Sequence, residues 1–237
     1  MQIILLAAGR GLRLGNKTAT TPKTLLPVGG KPVLLHILQG LARYPEDRIV
    51  VVGGFEFNRL GDFLSSQPIK TVLVRNTDYE KGNLLSLLAA QSHIHDAFCL
   101  MNSDHVFSRP ILEKVFQPVK RITAVCDFDR TLGPDDMKIV HRLDGTLGRM
   151  EKTLPSYDGG YIGITIVPKE KAPIYWKGAW HVRKTLGEEA SVEKILNILA
   201  EQGELIDILD VSGHVWFEVD TEEDLAVAEK KIRRMEI

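Results

Sequence analysis

Small residues and basic side chains follow the first apolar segment of the chain. Residues 6–15 read Leu-Ala-Ala-Gly-Arg-Gly-Leu-Arg-Leu-Gly, and a Thr-Pro-Lys sequence ending at Lys23 comes shortly afterwards. Glycine and alanine directly after a buried strand allow backbone N–H groups to approach phosphate oxygens, because no large side chain stands in the way. Arg10, Arg13 and Lys23 bring positive charge to the same loop. A tight strand-to-helix turn alone would not require these cations, so the loop predicts a triphosphate-binding site.

Two other phosphate-binding motifs fit this loop less well. A dinucleotide-binding fingerprint requires its third glycine one position before Gly15, and an acidic residue that closes the second strand. The second strand-like run ends instead in Val-Gly-Gly-Phe, with Glu56 beyond it. A P-loop requires four residues between its glycines and a Gly-Lys-Ser/Thr ending, which neither residues 15–18 nor residues 30–32 satisfy.

Strand-like and helix-like segments alternate along the first half of the chain. Apolar runs typical of strands occupy residues 2–7, 48–54, 70–76 and 97–102, and helical spacing of apolar residues occurs at 33–44, 56–64 and 83–93. Past about Lys120 the pattern loosens into strand-like pieces, including residues 161–167, followed by helices at 191–201 and from the capping box at Thr221. This order predicts an α/β fold, Rossmann-like, with a mostly parallel sheet flanked by helices on both faces.

The loop and several later blocks resemble a known superfamily. Residues 6–14, together with Pro-Lys-x-Leu-x-Pro-Val-Gly-Gly-Lys-Pro at 22–32, are similar to the signature of the nucleoside-diphosphate-sugar pyrophosphorylases. Further blocks follow in the family's order: Asn102-Ser103-Asp104-His105, Met150-Glu151-Lys152, Gly159-Gly160-Tyr161-Ile162-Gly163 and Trp216-Phe217-Glu218-Val219-Asp220-Thr221. The resemblance covers nearly the whole chain and implies a single nucleotidyltransferase domain over residues 1–237, of the nucleotide-diphospho-sugar transferase type. We expect a nucleotide-binding half at about 1–120 and an acceptor-binding half at about 121–237.

The resemblance implies a reaction in which the phosphate of an acceptor attacks the α-phosphorus of a nucleoside triphosphate and releases pyrophosphate. Two anions must meet, so positioning and charge neutralisation carry most of the catalysis. Arg13, Lys23 and Asp104 are the implied catalytic residues, Arg13 at the leaving pyrophosphate and Lys23 near the reacting phosphates. Asp104 and Asp220 are the implied metal ligands, and their hard carboxylate oxygens suit Mg²⁺.

The resemblance also implies residues for the two substrates. Nucleotide-binding residues would be Leu6, Ala7, Ala8, Gly9, Arg10, Gly11, Asn76, Gly82, Asn83 and Ser86. Acceptor-binding residues would be His105, Glu151, Lys152 and Gly160, with Lys152 at the acceptor phosphate. A second interpretation of His105 is that it only orients the loop of the metal aspartate.

Residues 76–87 favour CTP as the nucleotide. They read Asn-Thr-Asp-Tyr-Glu-Lys-Gly-Asn-Leu-Leu-Ser-Leu, which looks more like the cytidylyltransferases for phosphocholine or inositol 1-phosphate than like the sugar-specific members. Asn83 and Ser86 are three residues apart, so on the first turn of a helix both can face one ligand. An amide suits the donor and acceptor edge of cytosine. An equally open interpretation is that Asn83 is the N-cap of the helix.

The acceptor is less well defined than the nucleotide. An aspartate followed by histidine resembles the inositol-1-phosphate branch, so we favour inositol 1-phosphate as acceptor and CDP-inositol as product. Phosphocholine stays open because Tyr157, Tyr161, Trp176 and Trp180 are available for a quaternary ammonium. Sugar 1-phosphates with UTP, dTTP or GTP, and a catalytically silent regulatory subunit, are further alternatives. Asp127-Phe128-Asp129 has the Asp-x-Asp spacing of a glycosyltransferase metal site but lies outside the matched blocks.

Net charge and composition restrict the kinds of molecule that we expect the protein to bind. Thirty basic and thirty-one acidic side chains give a net charge of -1, so no broad basic field is available for nucleic acid. No apolar run approaches the roughly 20 residues of a membrane span, and residues 3–8 lack the basic flank of a signal peptide. Cys99 and Cys126 lie in apolar runs and are interpreted as core residues in a reducing compartment. We expect a cytoplasmic protein whose partners are a nucleoside triphosphate and a small phosphorylated alcohol or sugar; homo-oligomerisation stays open.

Overall fold

A computed structural model describes residues 1–44 and 49–235 of the chain. The strands are β1 (Gln2–Ala7), β2 (Pro27–Val28), β3 (Lys31–Pro32), β4 (Ile49–Gly53), β5 (Thr71–Arg75), β6 (Phe98–Asn102), β7 (His105–Phe107), β8 (Thr123–Asp127), β9 (Lys138–His141), β10 (Leu147–Glu151), β11 (Gly159–Val167), β12 (Asp207–Asp210) and β13 (Trp216–Glu218). The α-helices are α1 (Val33–Leu41), α2 (Phe57–Ser65), α3 (Asn83–Ala90), α4 (Arg109–Val115), α5 (Ala172–Leu186), α6 (Glu193–Glu201) and α7 (Glu222–Lys231).

The central sheet combines a parallel centre with an antiparallel extension. Its strands follow the order β10-β9-β11-β6-β1-β4-β5, and β8 pairs with β11 on one side and β12 on the other. Strands β6, β1, β4 and β5 are parallel, whereas β11 runs antiparallel to β6, β8 and β9. The expected α/β fold with a mostly parallel sheet between helices is thereby confirmed, and the irregular second half of the sequence supplies its antiparallel part.

Strand β1 lies at the centre of this sheet and is buried throughout. Because side chains alternate along a strand, Ile3 and Leu5 join one hydrophobic core, and Ile4 and Leu6 join the other. The first core also contains buried residues of α1, α2, α4 and α7, and the second contains those of α3, α5 and α6. An unbroken apolar run is the pattern that a strand covered on both faces requires.

Several boundaries differ from the sequence-based expectation. Helix α1 ends at Leu41 rather than at residue 44, and α3 ends at Ala90, where a 3₁₀ turn over Gln91–His93 follows. Of the strand expected at 48–54, the structure has Ile49–Gly53, and residue 48 lies outside the described residues.

Other local expectations are borne out. The capping box of α7 is present, since the Thr221 hydroxyl accepts from the Asp224 N–H while the Asp224 carboxylate accepts from the Thr221 N–H. Cys99 and Cys126 are both buried, as expected of core residues. Within the described ranges, no helix combines the length and apolar character needed to cross a bilayer.

The register of the parallel strands brings their carboxyl ends to one edge of the sheet. Leu6 pairs with Asn102, and Ala7 pairs with Gly53, so the loops that follow β1, β6 and β4 leave the sheet side by side. At that edge β13 pairs antiparallel with β7, placing Glu218 opposite His105. The carboxyl edge of an open parallel sheet is where α/β proteins bind ligands.

Strand β11 passes this edge through a bulge at Gly163. Its register against β8 shifts between Tyr161 and Thr165, and Gly163 adopts a left-handed conformation with φ 78°. A Cβ atom at this position would lie 2.8 Å from Nδ2 of Asn102, the last residue of β6. Glycine is therefore required at residue 163 both by backbone conformation and by contact.

Replacing Gly163 by alanine should destabilise the fold more than the same change at Gly145. Both residues have φ near 80°, but a Cβ at Gly145 would meet no atom within 4 Å. We expect G145A to lower the free energy of unfolding by about 1–2 kcal/mol, the conformational term alone, and G163A by about 2–5 kcal/mol because crowding is added. Urea unfolding of both variants measures the difference. Equal losses would show that the contact with Asn102 relaxes without cost.

Candidate functional site

The Lys23 ammonium lies between two carboxylates at the carboxyl edge of the sheet. Its Nζ is 2.5 Å from Oδ2 of Asp104 and 2.8 Å from Oδ1 of Asp220. The three side chains are 15%, 20% and 23% exposed, so the cluster is largely shielded from water. Asp220 also forms an ion pair with Arg13. Four residues singled out from the sequence are therefore in contact through ion pairs, although Lys23 and Asp220 are 197 positions apart along the chain and Arg13 lies further still from Asp220.

The pairing of β7 with β13 explains how Asp104 and Asp220 meet. Asp104 occupies the turn between β6 and β7, and Asp220 occupies the turn between β13 and α7. The Val219 N–H donates to the Asp104 carbonyl oxygen at 2.9 Å, which fixes the two turns against each other. The Asp220 N–H donates to the carboxylate of Asp224, so the capping box of α7 also holds this turn.

Mutual attraction decides the charges of this cluster. Burial by itself would lower the pKa of Lys23, but the charges of Asp104 and Asp220 more than reverse this, and its pKa lies above the ordinary value. Burial would raise the pKa of Asp104, yet Lys23 and then His105 hold it far below the usual range. The ammonium and the Asp104 carboxylate thus both stay charged in the folded state.

His105 is held by carboxylates on both of its ring nitrogens. Nδ1 is 2.5 Å from Oδ1 of Asp104 and Nε2 is 3.3 Å from Oε2 of Glu218, while the ring stacks on Trp216 at 5.7 Å. Burial would lower the pKa of His105, but Asp104 and Glu218 raise it overall. The geometry favours the second interpretation of this residue, in which the imidazole orients the Asp104 side chain.

The loop after β1 turns sharply at Gly11 and wraps over Lys23. Gly11 has φ 71°, and a Cβ there would lie 2.9 Å from Cβ of Lys23. The Thr18 hydroxyl donates to the Gly11 carbonyl at 2.8 Å and closes the turn. Open space surrounds Gly9, since no atom lies within 4 Å of a Cβ built on it, and Arg10 lies over the Phe55 ring at 5.3 Å. The loop thus exposes backbone next to a cluster of cations.

One cavity lies between this loop and the start of α3. Its volume is about 270 Å³. It is lined by Leu6, Ala7, Ala8, Gly9, Lys23, Thr24, Tyr79, Lys81, Gly82, Asn83, Ser86, Asn102, Ser103 and Asp104. Most of the residues expected to bind nucleotide are in this list, and Arg10 and Gly11 line an adjoining cavity that shares Gly9, Lys23 and Tyr79.

Asn76 does not occupy the position expected of a nucleotide-binding residue, and Asn83 is not the N-cap of α3. Asn76 does not line the cavity; its Nδ2 donates to the Ser86 hydroxyl at 2.9 Å and positions that residue from behind. The N-cap of α3 is Gly82, so the N-cap interpretation of Asn83 is wrong. Asn83 lines the cavity and its Oδ1 accepts from the Val192 N–H at 2.9 Å.

A second cavity meets the first at Lys23, Asn83, Asn102 and Asp104. Its volume is about 250 Å³. The other residues that line it are Arg13, His105, Asp135, Asp136, Met137, Lys152, Tyr161, Gly163, Glu193, Trp216, Glu218 and Asp220. Two adjoining cavities that share one ammonium provide room for two ligands whose reacting groups meet at Lys23.

Of the residues expected to bind the acceptor, the structure brings His105 and Lys152 to this second cavity but not Glu151 or Gly160. Glu151 forms an ion pair with Lys194 at 2.8 Å and lines a separate surface pocket. Adjacent residues at the end of a strand point to opposite sides, which separates Glu151 from Lys152. Gly160 lies beneath Leu132, where a Cβ would be 2.7 Å from a methyl group, and does not line the cavity.

Several cavity residues were not singled out from the sequence. Thr24 donates from its hydroxyl to the Ser103 carbonyl at 3.0 Å. The sequence signal that could have identified it is its position directly after Lys23. Glu193 gave no such signal, because a glutamate in the first turn of an amphipathic helix is common.

The aspartates of the Asp-x-Asp sequence are held by protein groups. Asp127 accepts from the Trp216 indole N–H at 2.7 Å, and Asp129 accepts from the Gly213 N–H at 2.9 Å.

Asp104 and Asp220 are suited to be the protein ligands of a magnesium ion. Among the described residues, no group of three or more His, Cys, Asp or Glu side chains is arranged to hold a metal ion. Mg²⁺ in phosphate-transfer sites is commonly held by one or two carboxylates together with substrate phosphates and water. Two hard carboxylates that approach one cation, as these approach the Lys23 ammonium, match that requirement.

Relatives and solved structures resemble this chain over nearly its whole length. The bifunctional IPC transferase and DIPP synthase of Archaeoglobus fulgidus is 28% identical over 98% of this chain, which spans only 44% of that relative. The structure titled inositol-1-phosphate CTP transferase from T. maritima aligns with a TM-score of 0.83 and 20% identity, covering 100% of this chain and 97% of that one. The CTP:phosphocholine cytidylyltransferase of Streptococcus pneumoniae aligns with a TM-score of 0.73 and 19% identity, covering 98% of each chain.

At these identities the two structural alignments show a common fold. The sequence model of one family matches residues 3–143, which is more than half of the chain and includes the glycine-rich loop and Asp104. This agrees with the resemblance to nucleotidyltransferases found in the sequence motifs. The chain belongs to the MobA-like NTP transferase domain family.

Proposed function

We propose that the chain transfers the cytidylyl group of CTP to inositol 1-phosphate, forming CDP-inositol and pyrophosphate, with Mg²⁺ as the metal. The observation that carries this proposal is the meeting of two cavities at Lys23 and Asp104. A nucleotide in the first cavity and a phosphorylated acceptor in the second would bring their phosphates together at the ammonium. Nucleotidyl transfer requires that arrangement of two anions around fixed positive charge.

In the proposed reaction, an oxygen of the acceptor phosphate forms a bond to the α-phosphorus of CTP. The bond from that phosphorus to the bridging oxygen of pyrophosphate breaks on the opposite side. Lys23 would offset negative charge where the two phosphates meet, and Arg13 would bind the departing pyrophosphate. Lys152, whose Nζ is 3.8 Å from a carboxylate oxygen of the exposed Asp135, would bind the acceptor phosphate. Fixed cations in a partly dehydrated site stabilise such charge more strongly than water does.

Asp104 and Asp220 would hold Mg²⁺, which neutralises phosphate charge and makes the α-phosphorus more electrophilic. His105 would keep the Asp104 carboxylate in position through its Nδ1 bond of 2.5 Å. Glu218 in turn holds the other side of the imidazole at 3.3 Å. This carboxylate–imidazole–carboxylate series would orient a metal ligand from behind, as outer groups do in other metal sites.

Asn83 and Ser86 support CTP as the nucleotide. Both line the first cavity on the first turn of α3, and Asn76 fixes the hydroxyl of Ser86. The side-chain amide and hydroxyl supply donors and acceptors to the polar edge of a cytosine.

Three of the four aromatic residues considered for choline lie outside the second cavity, which favours a hydroxylated acceptor over a quaternary ammonium. Of the aromatic residues considered for choline, Tyr161 lines this cavity, whereas Trp176 stacks on Phe98 in the core at 5.2 Å. Trp180 donates to Gln91 on the surface, and Tyr157 lies near Lys138. An aromatic cage for an ammonium requires several rings around one point. The Archaeoglobus fulgidus relative is named in part as an IPC transferase. Its support for the proposed substrate extends no further than that name.

A pyrophosphate-release assay over CTP, UTP, GTP, ATP and dTTP against inositol 1-phosphate, phosphocholine and glucose 1-phosphate tests this proposal. We expect turnover with CTP and inositol 1-phosphate, dependent on Mg²⁺. Asp104→Asn should reduce kcat at least 100-fold, because one oxygen ligand loses its charge. Asp62→Asn changes an exposed carboxylate on α2 and should retain the wild-type rate.

Three results would contradict parts of the proposal. Turnover only with UTP and a sugar phosphate would remove the cytidylyl assignment. Nucleotide binding without pyrophosphate release for any pair would favour the silent regulatory subunit. Wild-type rates in D104N would remove Asp104 from the metal site.

Replacing Lys23 by methionine should make the protein's stability depend on Mg²⁺. The change removes the cation between Asp104 and Asp220, and we expect the free energy of unfolding to fall by about 3–5 kcal/mol in metal-free buffer. Adding Mg²⁺ should recover part of this loss, since a ligand that binds only the folded state stabilises it. Thermal unfolding with and without Mg²⁺ measures both effects.

Lys17→Met is the matched control, because Lys17 forms an exposed ion pair with Glu222 at 3.2 Å. Such surface pairs contribute about 0–1 kcal/mol, and Mg²⁺ should not change the melting temperature of this variant beyond the wild-type response. If Mg²⁺ stabilised K23M no more than K17M, the two aspartates would not form the metal site.

A further inference from the structure

Glu193 is a largely buried residue in the wall of the second cavity. It lies in the first turn of α6, is 8% exposed as a residue, and lines the cavity together with Asn83, Tyr161 and Lys152. None of the sequence motifs pointed to this position.

The carboxylate of Glu193 has no hydrogen bond or ion pair with any residue in the ranges 1–44 and 49–235. The other acidic side chains of this cavity do form ion pairs within those ranges. Asp104 and Asp220 bind Lys23, and Asp135 binds Arg13. Asp136 and Glu218 both bind Arg130. Oγ of Ser108 is the one fully buried side-chain polar atom without a partner among the described residues, so the Glu193 oxygens are open to the cavity, where water or a ligand can donate hydrogen bonds to them.

Neighbouring groups do not serve as its partners. The Tyr161 hydroxyl is hydrogen-bonded to Oγ1 of Thr165 at 2.8 Å. Burial and then the charge of Glu193 raise the pKa of Tyr161 well above its ordinary value. The positive end of α6 favours a negative charge here, but a helix N-terminus does not require the side chain to face a cavity.

The start of α6 is fixed against α3, so the backbone that carries Glu193 is held next to the cavity. The Val192 N–H, one residue before Glu193, donates to Oδ1 of Asn83 at 2.9 Å. The preceding loop packs on Gly82, where a Cβ would lie 2.7 Å from the Ala190 carbonyl oxygen. A polar group that is positioned before binding loses little conformational entropy when the ligand arrives.

An ionised carboxylate accepts hydrogen bonds and donates none. In a cavity whose cations, Arg13, Lys23 and Lys152, suit a phosphate, such a group suits the hydroxyl donors of the rest of the ligand. We propose that Glu193 accepts hydrogen bonds from hydroxyl groups of the acceptor and thereby selects polyhydroxylated phosphate monoesters. This inference rests on the proposed function, because it assumes that the second cavity holds the acceptor.

Glu193→Gln tests the inference with a nearly isosteric change. Charge-assisted hydrogen bonds are about twice as strong as neutral ones, so we expect the KM for inositol 1-phosphate to rise about tenfold or more. The KM for CTP should change less than about twofold, because the nucleotide occupies the other cavity. The melting temperature should stay equal or rise, because the carboxylate has no hydrogen bond or ion pair with the described residues that the amide would lose. Glu201→Gln, an exposed glutamate at the end of the same helix, is the control and should match the wild type in all three values.

A second comparison separates contact from structure. Mono-deoxy analogues of inositol 1-phosphate should be poorer acceptors for the wild type, and at least one should lose this disadvantage in E193Q. A purely structural role for Glu193 would instead lower the melting temperature and affect all acceptors alike, and that result would overturn the inference. An unchanged KM for inositol 1-phosphate in E193Q would also overturn it.

The acceptor panel distinguishes failure of this inference from failure of the proposed function. Turnover of glucose 1-phosphate but not inositol 1-phosphate would refute the proposed acceptor, while the same KM shift in E193Q with this hydroxylated substrate would support the role of Glu193. Turnover of phosphocholine alone would overturn the role of Glu193, because the choline part carries no free hydroxyl. No turnover with any pair would overturn both.

Discussion

The contact of one ammonium with two carboxylates determines how the catalytic edge of this protein is built. Asp104 and Asp220 would repel each other at this separation if Lys23 did not lie between them, since like charges in a partly buried site interact strongly. The loop after β1 turns back at Gly11 and lies against the Lys23 side chain, where a Cβ on Gly11 would be 2.9 Å from Cβ of Lys23. The glycine-rich loop, the turn after β6 and the turn before α7 are therefore one electrostatic unit.

This unit also separates the two cavities while leaving them in contact. Lys23 and Asp104 belong to the walls of both, so a ligand in either cavity faces the same charges. In the proposed reaction the protein would offer its fixed charge at the boundary between substrates, and specificity would come from the outer walls. Those walls differ in chemistry: Asn83 and Ser86 present an amide and a hydroxyl on one side, and Glu193 presents a carboxylate on the other.

Sequence reasoning succeeded where a residue's position follows from chain geometry alone. The unbroken apolar run of β1 and the small residues after it predict a central strand and an open loop, and Asp104 directly follows a strand whose register with β1 brings it to that loop. Sequence reasoning failed where the position of a side chain depends on which face of a strand or helix is turned towards the site. Glu151 and Lys152 form one motif block, but the strand end directs them to different sides, and Glu151 binds Lys194 instead. Helix α5 was not predicted from the sequence. A Cβ at its Gly178 would lie 3.2 Å from Ile195 and Leu199, so close packing on α6 accounts for the glycine.

The C-terminal helix α7 affects the temperature at which the charged cluster loses its structure. Asp220 is held by the capping box of α7, yet Ala228 is the one fully buried residue among those described in that helix. Segments with little buried apolar surface open locally at lower free energy than the core does. Heating would therefore release Asp220 while the central sheet is still intact, and the temperature at which the charged cluster disperses would lie below the melting temperature of the domain. On this basis we expect the thermal limit of the site to be set by α7, which contributes little buried surface, rather than by the two hydrophobic cores.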